Sequence, residues 1–200
     1  MALPGSCITK EKEQGLAGYL VGLGYATLTI DPRNLGAINI IEGFAAISHG
    51  HEPIDHKMVT DVLSAAQVLR SLPEINADKV AYVGESNGVL FVVMACALDP
   101  TASGVVAIST CGYGADEITS SGSQKGAAAI QFYRPIDPEI YLSQIQPGKL
   151  VMIHSMDDPT TSYNLAFQIY SKALGYKEPH IIDRVFHATA LRWLERSEKG

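Results

Sequence analysis

The sequence predicts an α/β protein: a three-layer α/β/α sandwich around a mostly parallel sheet. Short β-branched or otherwise apolar runs alternate with helix-length stretches along the whole chain, as expected of strands joined by crossover helices. A serine bracketed by glycines stands between one such run and an uninterrupted apolar stretch. An acidic turn and then a histidine follow two later runs, at positions where a parallel sheet would bring strand ends together.

Taken in order, Glu11 to Leu23 is predicted helical from apolar residues at Leu16, Leu20 and Leu23, and Ala26 to Ile30 is the first predicted strand. Asp55 to Ser71 carries Met58, Val62, Ala65 and Leu69 on one helical stripe. Val80 to Gly84 reads as a buried strand and Val89 to Leu98 as a helix apolar all round. Gly104 to Thr110, Leu150 to His154 and Ile181 to Phe186 complete the strands, with helices expected over Thr161 to Leu174 and Ala188 to Lys199. The stretch 112–133 breaks this rhythm. Its glycines and serines, Gly112, Gly114, Ser120, Ser121, Gly122 and Ser123, suggest a lid or substrate loop over the strand ends, or a plain surface loop. No repeat or domain boundary is visible, so residues 1–200 read as one domain.

Composition narrows the function classes. With 46% hydrophobic and 18% charged residues the chain has the balance of a globular domain. A net charge of −6 without a Lys/Arg cluster argues against a nucleic-acid partner. The longest apolar stretch, Val89 to Leu98, is half of the ~20 residues a membrane span needs, so no membrane partner is expected. The odd set Cys7, Cys96 and Cys111 has no metal-type spacing and suggests a reducing compartment, hence a cytoplasmic location. Cys96 and Cys111 read as packing residues. His49, His51 and His56 lack a fourth ligand at a recognisable spacing, so a solvated loop is expected there and neither metal nor cofactor.

The chemistry centres on Gly84-Glu85-Ser86-Asn87-Gly88. Between a strand and a helix, this pattern makes a sharp turn that exposes the serine hydroxyl above a helix N-terminus, and a Cβ at either glycine would collide with a neighbouring strand or helix. Alone the pattern is weak; its context strengthens it. A serine hydroxyl needs a base, and the base needs an acceptor to fix its tautomer. The turn after Leu150 to His154 offers Asp157 and Asp158, and His187 follows the last predicted strand. His154, at a strand end, reads as a satisfied structural histidine, and His180 as lying ahead of its strand, at the far end.

These segments resemble the α/β-hydrolase superfamily, above all its branch of dienelactone hydrolases and prolyl-oligopeptidase-type domains. Gly24 to Arg33 looks like that superfamily's strand ending in an Asp-x-Arg turn, Leu150 to Pro159 like its acid-bearing strand and loop, and Val185-Phe186-His187 like its histidine loop. The similarity covers about residues 11–198. The order Ser86, Asp158, His187 is the one this resemblance implies for a catalytic triad, because the family places its acid just before a proline or small residue, which fits Asp158 better than Asp157. It also implies that the backbone N–H of Asn87 donates to an oxyanion.

The departure lies at the N-terminus. The superfamily carries an earlier strand, ending in a His-Gly-type loop, that supplies the second oxyanion donor and lies between the strands matching Ala26 to Ile30 and Val80 to Gly84. No segment of the sequence reads as that strand, and His49-Gly50 stands in the wrong place. The expectation is therefore a fold lacking its N-terminal strands, with an open slot or direct pairing at that position, unless residues 1–10 rebuild the loop. The resemblance implies a serine hydrolase acting on a carboxylic ester or related acyl bond of a small molecule. The alternatives are a serine peptidase or amidase of the prolyl-oligopeptidase type and a non-catalytic, hydrolase-like binding protein. Substrate identity and oligomeric state are not legible.

Overall fold

A computed structural model describes residues 1–110, 112–113, 124–145, 147–183 and 187. Five parallel strands form one sheet in chain order: β1 (Ala2–Leu3), β2 (Tyr82–Glu85), β3 (Gly104–Ile108), β4 (Lys149–Ser155) and β5 (Lys177–Ile182). The described α-helices are α1 (Gln14–Gly22), α2 (Ile40–Ser48), α3 (Met58–Ser71), α4 (Asn87–Leu98), α5 (Gln124–Tyr133) and α6 (Tyr163–Ser171).

The period-two pattern of the strands splits the core into two layers. Val105, Ala107, Leu150 and Met152 face a large cluster with Met58 and Val62 of α3, Val89 to Cys96 of α4, and Ala166, Ile169 and Tyr170 of α6. Ile108 and Ile153 face the other way and pack with Leu16 of α1 and Ile182, joined by the partly buried Val106 and Val151. The all-round apolar α4 is the central helix, wedged between the sheet and α3, with every residue from Gly88 to Cys96 buried. There the Cys96 thiol is pushed up to about 12 by burial, whereas Cys7 is exposed; Cys111 lies outside the described residues. No described helix is long and apolar enough to cross a membrane.

Several elements differ from expectation. The slot beside β2 is filled: Ala2 pairs with Val83 and Leu3 with Gly84, while the Ala2 N–H donates to the Leu28 carbonyl at 2.9 Å. Residues 1–3 thus sit between β2 and the segment 26–30, which is only a single bridge, Ala2 to Thr29, and not the full strand expected. A two-residue partner offers too few ladder bonds to extend that strand further. β5 begins four residues earlier than predicted, so His180 lies within it, opposite Ile153, with its Nε2 2.9 Å from Glu178 Oε1. The stretch expected to be a loop holds α5 in its second half. Phe132 of this helix is fully buried and sits on Gly43 of α2, where a Cβ would lie 2.0 Å from the ring. Helix α2, not expected at all, is capped by Asn39 and carries Phe44 edge-on to Phe132. Burying one phenylalanine contributes up to ~3 kcal/mol, enough to dock a helix of weak intrinsic pattern. The helix expected over Ala188 to Lys199 lies outside the described residues.

Candidate active site

β2 ends in the nucleophile-like turn. Ser86 has φ 51° and ψ −124°, a left-handed conformation that costs a non-glycine residue ~1–3 kcal/mol and persists only where its surroundings enforce it. They do: the Ser86 N–H donates to the Ile108 carbonyl at 2.9 Å, continuing the β2–β3 ladder, and α4 starts at the next residue. The two glycines admit no side chain. A Cβ on Gly84 would stand 2.6 Å from Val92 Cγ2, and one on Gly88 would stand 2.5 Å from the carbonyl oxygens of both Leu3 and Pro4. We therefore expect Gly88→Ala to cost about 3 kcal/mol in urea unfolding, since backbone cannot rotate aside. Gly18→Ala on α1, where nothing lies within 4 Å, should instead stabilise by roughly 0.5–1 kcal/mol. Equal midpoints for the two variants would contradict this packing.

The strand ends bring Ser86, His187 and Asp158 together. His187 Nε2 lies 2.9 Å from Ser86 Oγ, and His187 Nδ1 lies 2.8 Å from Asp158 Oδ2 and 3.1 Å from Oδ1. Both contacts are satisfied by the tautomer that donates from Nδ1 to the carboxylate and accepts the serine proton at Nε2. Asp158 is itself held in place. Its Oδ1 accepts from the N–H groups of Thr160 at 2.8 Å and Thr161 at 2.9 Å, and its Oδ2 from the Thr161 hydroxyl at 2.9 Å. Burial alone would raise the Asp158 carboxyl, but the Thr161 N–H, His187 and the Thr160 N–H outweigh it and hold the group below its ordinary value. Asp157, by contrast, is exposed, and its N–H donates to Ser155 Oγ at 3.2 Å.

The other histidines take no part in the contacts between Ser86, His187 and Asp158, although His154 Nε2 lies 3.9 Å from Asp158 Oδ2. His154 is fully buried, which lowers its pKa below the ordinary histidine value, and its Nε2–H donates to the Thr161 carbonyl at 3.1 Å, so it braces the residue that braces Asp158. His56 Nε2 meets the Phe132 carbonyl at 2.8 Å, and His49 and His51 are exposed. Among the described residues no three His, Cys, Asp or Glu side chains gather as metal ligands would.

Three features escaped the sequence. The segment after β1 runs alongside the turn: a Cβ on Gly5 would lie 3.2 Å from Ser86 Cβ. Ser6 Oγ accepts from Asn87 Nδ2 at 2.6 Å and donates to the Gly36 carbonyl at 3.0 Å. On the opposite face of β2, Glu85 approaches Glu13 at the start of α1, and one Glu13 carboxylate oxygen is buried without a partner. Burial pushes Glu13 up to about 7, and burial followed by the Glu13 charge pushes Glu85 up to about 8. Because the folded state holds these protons more tightly than the unfolded chain, stability is greatest below the ordinary glutamate value and is lost as pH rises through about 7 and then about 8. The melting temperature should fall as pH rises from about 5 to about 8 and level off above, and Glu13→Gln should flatten that fall. An unchanged slope in the variant would remove the pair as its source.

Sheet order, the turn at Ser86 and the positions of acid and histidine after β4 and β5 define the α/β-hydrolase fold. Solved structures bear this out for the fold. Acetyl xylan esterase 1 from Thermoanaerobacterium sp. JW/SL YS485 superposes with a TM-score of 0.73 at 15% identity over 99% of this chain and 73% of its own. Est1E from Butyrivibrio proteoclasticus, with ferulic acid bound, gives 0.73 at 13% identity over 99% and 85%. The acylaminoacyl peptidase of Pyrococcus horikoshii gives 0.64 at 19% identity over 96% of this chain and 33% of its own. No protein-family model and no curated protein sequence matches the chain.

Proposed function

We propose that the protein is a serine hydrolase that cleaves a carboxylic ester, or a related acyl bond, of a small molecule through an acyl-enzyme intermediate. The observation that carries this reading is the continuous chain of contacts from Ser86 Oγ through both nitrogens of His187 to the buried Asp158. Ser86 Oγ attacks the acyl carbon as His187 Nε2 takes its proton. Asp158 stabilises the imidazolium. The same proton passes to the leaving oxygen as its bond to the acyl carbon breaks. Water then enters, gives a proton to His187 and attacks the acyl-serine; the acid departs and the proton returns to Ser86.

The tetrahedral oxyanion is held by the backbone N–H of Asn87, at the positive end of α4, and by an N–H of the Gly5–Ser6 segment. That segment lies beside Ser86 at the end of β1, the position where the sequence offered no second donor. No cofactor enters these steps.

One of the similar solved structures is named as an esterase and one as a peptidase, so the leaving group separates the readings. The test is labelling by a fluorophosphonate, which requires an activated serine, followed by hydrolysis of matched aryl esters and anilides. A chain that is not labelled supports the binding-protein alternative; one that cleaves anilides as fast as esters supports the peptidase.

A further inference from the structure

The side chain of Asn87 points away from the chemistry proposed for its backbone. Its carboxamide reaches across to a residue 81 positions earlier, donating to Ser6 Oγ at 2.6 Å, and also lies 3.4 Å from the Gly36 carbonyl. The Ser6 hydroxyl closes the triangle by donating to that carbonyl at 3.0 Å.

The segment so held has few other fasteners. β1 ends at Leu3, Pro4 has no N–H, and the next backbone bond made by an N–H of the segment is from Cys7 to the Leu35 carbonyl at 2.7 Å. The loop that supplies both carbonyls is strained for this purpose. Asn34, Leu35 and Gly36 are all left-handed, with φ of 48°, 49° and 71°, and Cys7 opposite them has φ 62°. The Asn34 carboxamide pins the loop through the Ala37 carbonyl at 2.9 Å. Three successive left-handed residues, two of them not glycine, persist only where surrounding contacts enforce them. Here the contacts that do so converge on residues 5–7.

We infer that the Asn87 carboxamide, the Ser6 hydroxyl and the Gly36 carbonyl form a clamp that fixes the Gly5–Ser6 segment against Ser86, which makes the side chains of Asn87 and Ser6 positioning residues for the second oxyanion donor. This rests on the serine-hydrolase reading. A donor must be held to within about 0.5 Å of its acceptor to stabilise developing charge, and a segment fastened at one end by a two-residue strand cannot meet that tolerance alone. Anchoring the clamp on the residue after the nucleophile ties both donors to one turn, so they move together.

The experiment uses the full chain and four variants: Ser6→Ala, Ser6→Thr, Asn87→Ala and the double Ser6→Ala/Asn87→Ala. Ester hydrolysis and amide hydrogen exchange are both read. Each alanine variant is expected to lower kcat by about 10- to 100-fold, below the 10²–10³ of a donor removed outright, with KM within about threefold. Ser6→Thr should recover most of the rate lost in Ser6→Ala. The double variant should be no worse than about threefold below the weaker single, because both substitutions open the same clamp. Exchange at the Cys7 amide should quicken about tenfold in Asn87→Ala, a readout independent of turnover. Unchanged exchange, multiplying losses in the double variant or kcat within twofold in both singles would overturn the clamp. A wild-type chain unlabelled at Ser86 would instead overturn the hydrolase reading and the catalytic purpose of the clamp, while the exchange result still decides whether the clamp exists.

Discussion

Ser86→Ala is expected to abolish fluorophosphonate labelling and to lower kcat for an activated ester by about 10⁴-fold or more, with the folded state intact. The size follows from the role: without the hydroxyl no acyl-enzyme forms, and only the residual effect of binding and the oxyanion donors remains. The fold should survive because Ser86 Oγ contacts His187 and the turn is enforced from outside, by the Ser86 N–H bond to Ile108 and by the glycines on either side. Alanine keeps the positive φ and its strain, so the melting temperature should move by no more than a few degrees. The measurement pairs intact-mass labelling with a thermal melt. Labelling that persists in the variant would move the nucleophile elsewhere, and a collapsed melt would mean that the hydroxyl is structural.

How much of this was legible depends on how far apart the interacting residues lie in the chain. The turn at Ser86 could be read because strand, glycines and helix are contiguous, and because each glycine excludes a side chain for a local reason. Asp158 and His187 could be placed by chain order because a parallel sheet delivers successive strand ends to one edge. β1 could not. A strand of two residues carries no periodicity, and Ala2 and Leu3 become a strand only through partners about 27 and 81 positions away. β5 was displaced for the opposite reason. Lys177-Glu178-Pro179-His180 lacks apolar alternation, and Pro179 fits because β5 is the outermost strand of the described sheet. Helix α5 was hidden by its small residues and by the glycines before it, and depends on Phe132 finding its seat on Gly43. The contacts of Ser6 with Asn87 and Gly36, and of Glu13 with Glu85, join distant segments and leave no local trace.

The filled slot bears on which class of function survives. An open slot would have left two unpaired strand edges and a single oxyanion donor, a loss worth about 3–4 kcal/mol of transition-state stabilisation and the best argument for a binding protein. With Ala2 paired on both sides and Gly5 beside Ser86, that argument loses its structural basis. The proposed chemistry then depends on the acid and the base.

Asp158→Asn and His187→Ala are each expected to lower kcat by about 10³- to 10⁴-fold with KM within about threefold, while Asp157→Asn stays within about threefold in both. An amide at 158 would keep the size of the side chain and still accept from the Thr160 and Thr161 N–H groups through its oxygen. Its NH₂ would then face His187 Nδ1, favour the tautomer protonated at Nε2, and leave no acceptor for the Ser86 proton. It would also remove the charge that stabilises the imidazolium. Asp157 offers none of this: its side chain is exposed on the loop, one residue short of the buried position that meets His187. Steady-state kinetics on an activated ester, with melting curves for all three variants, decide the matter. Should Asp157→Asn be the crippled variant and Asp158→Asn the mild one, the acid would be Asp157, and the hydrogen bonds from Thr160 and Thr161 would be a turn motif with no part in the reaction.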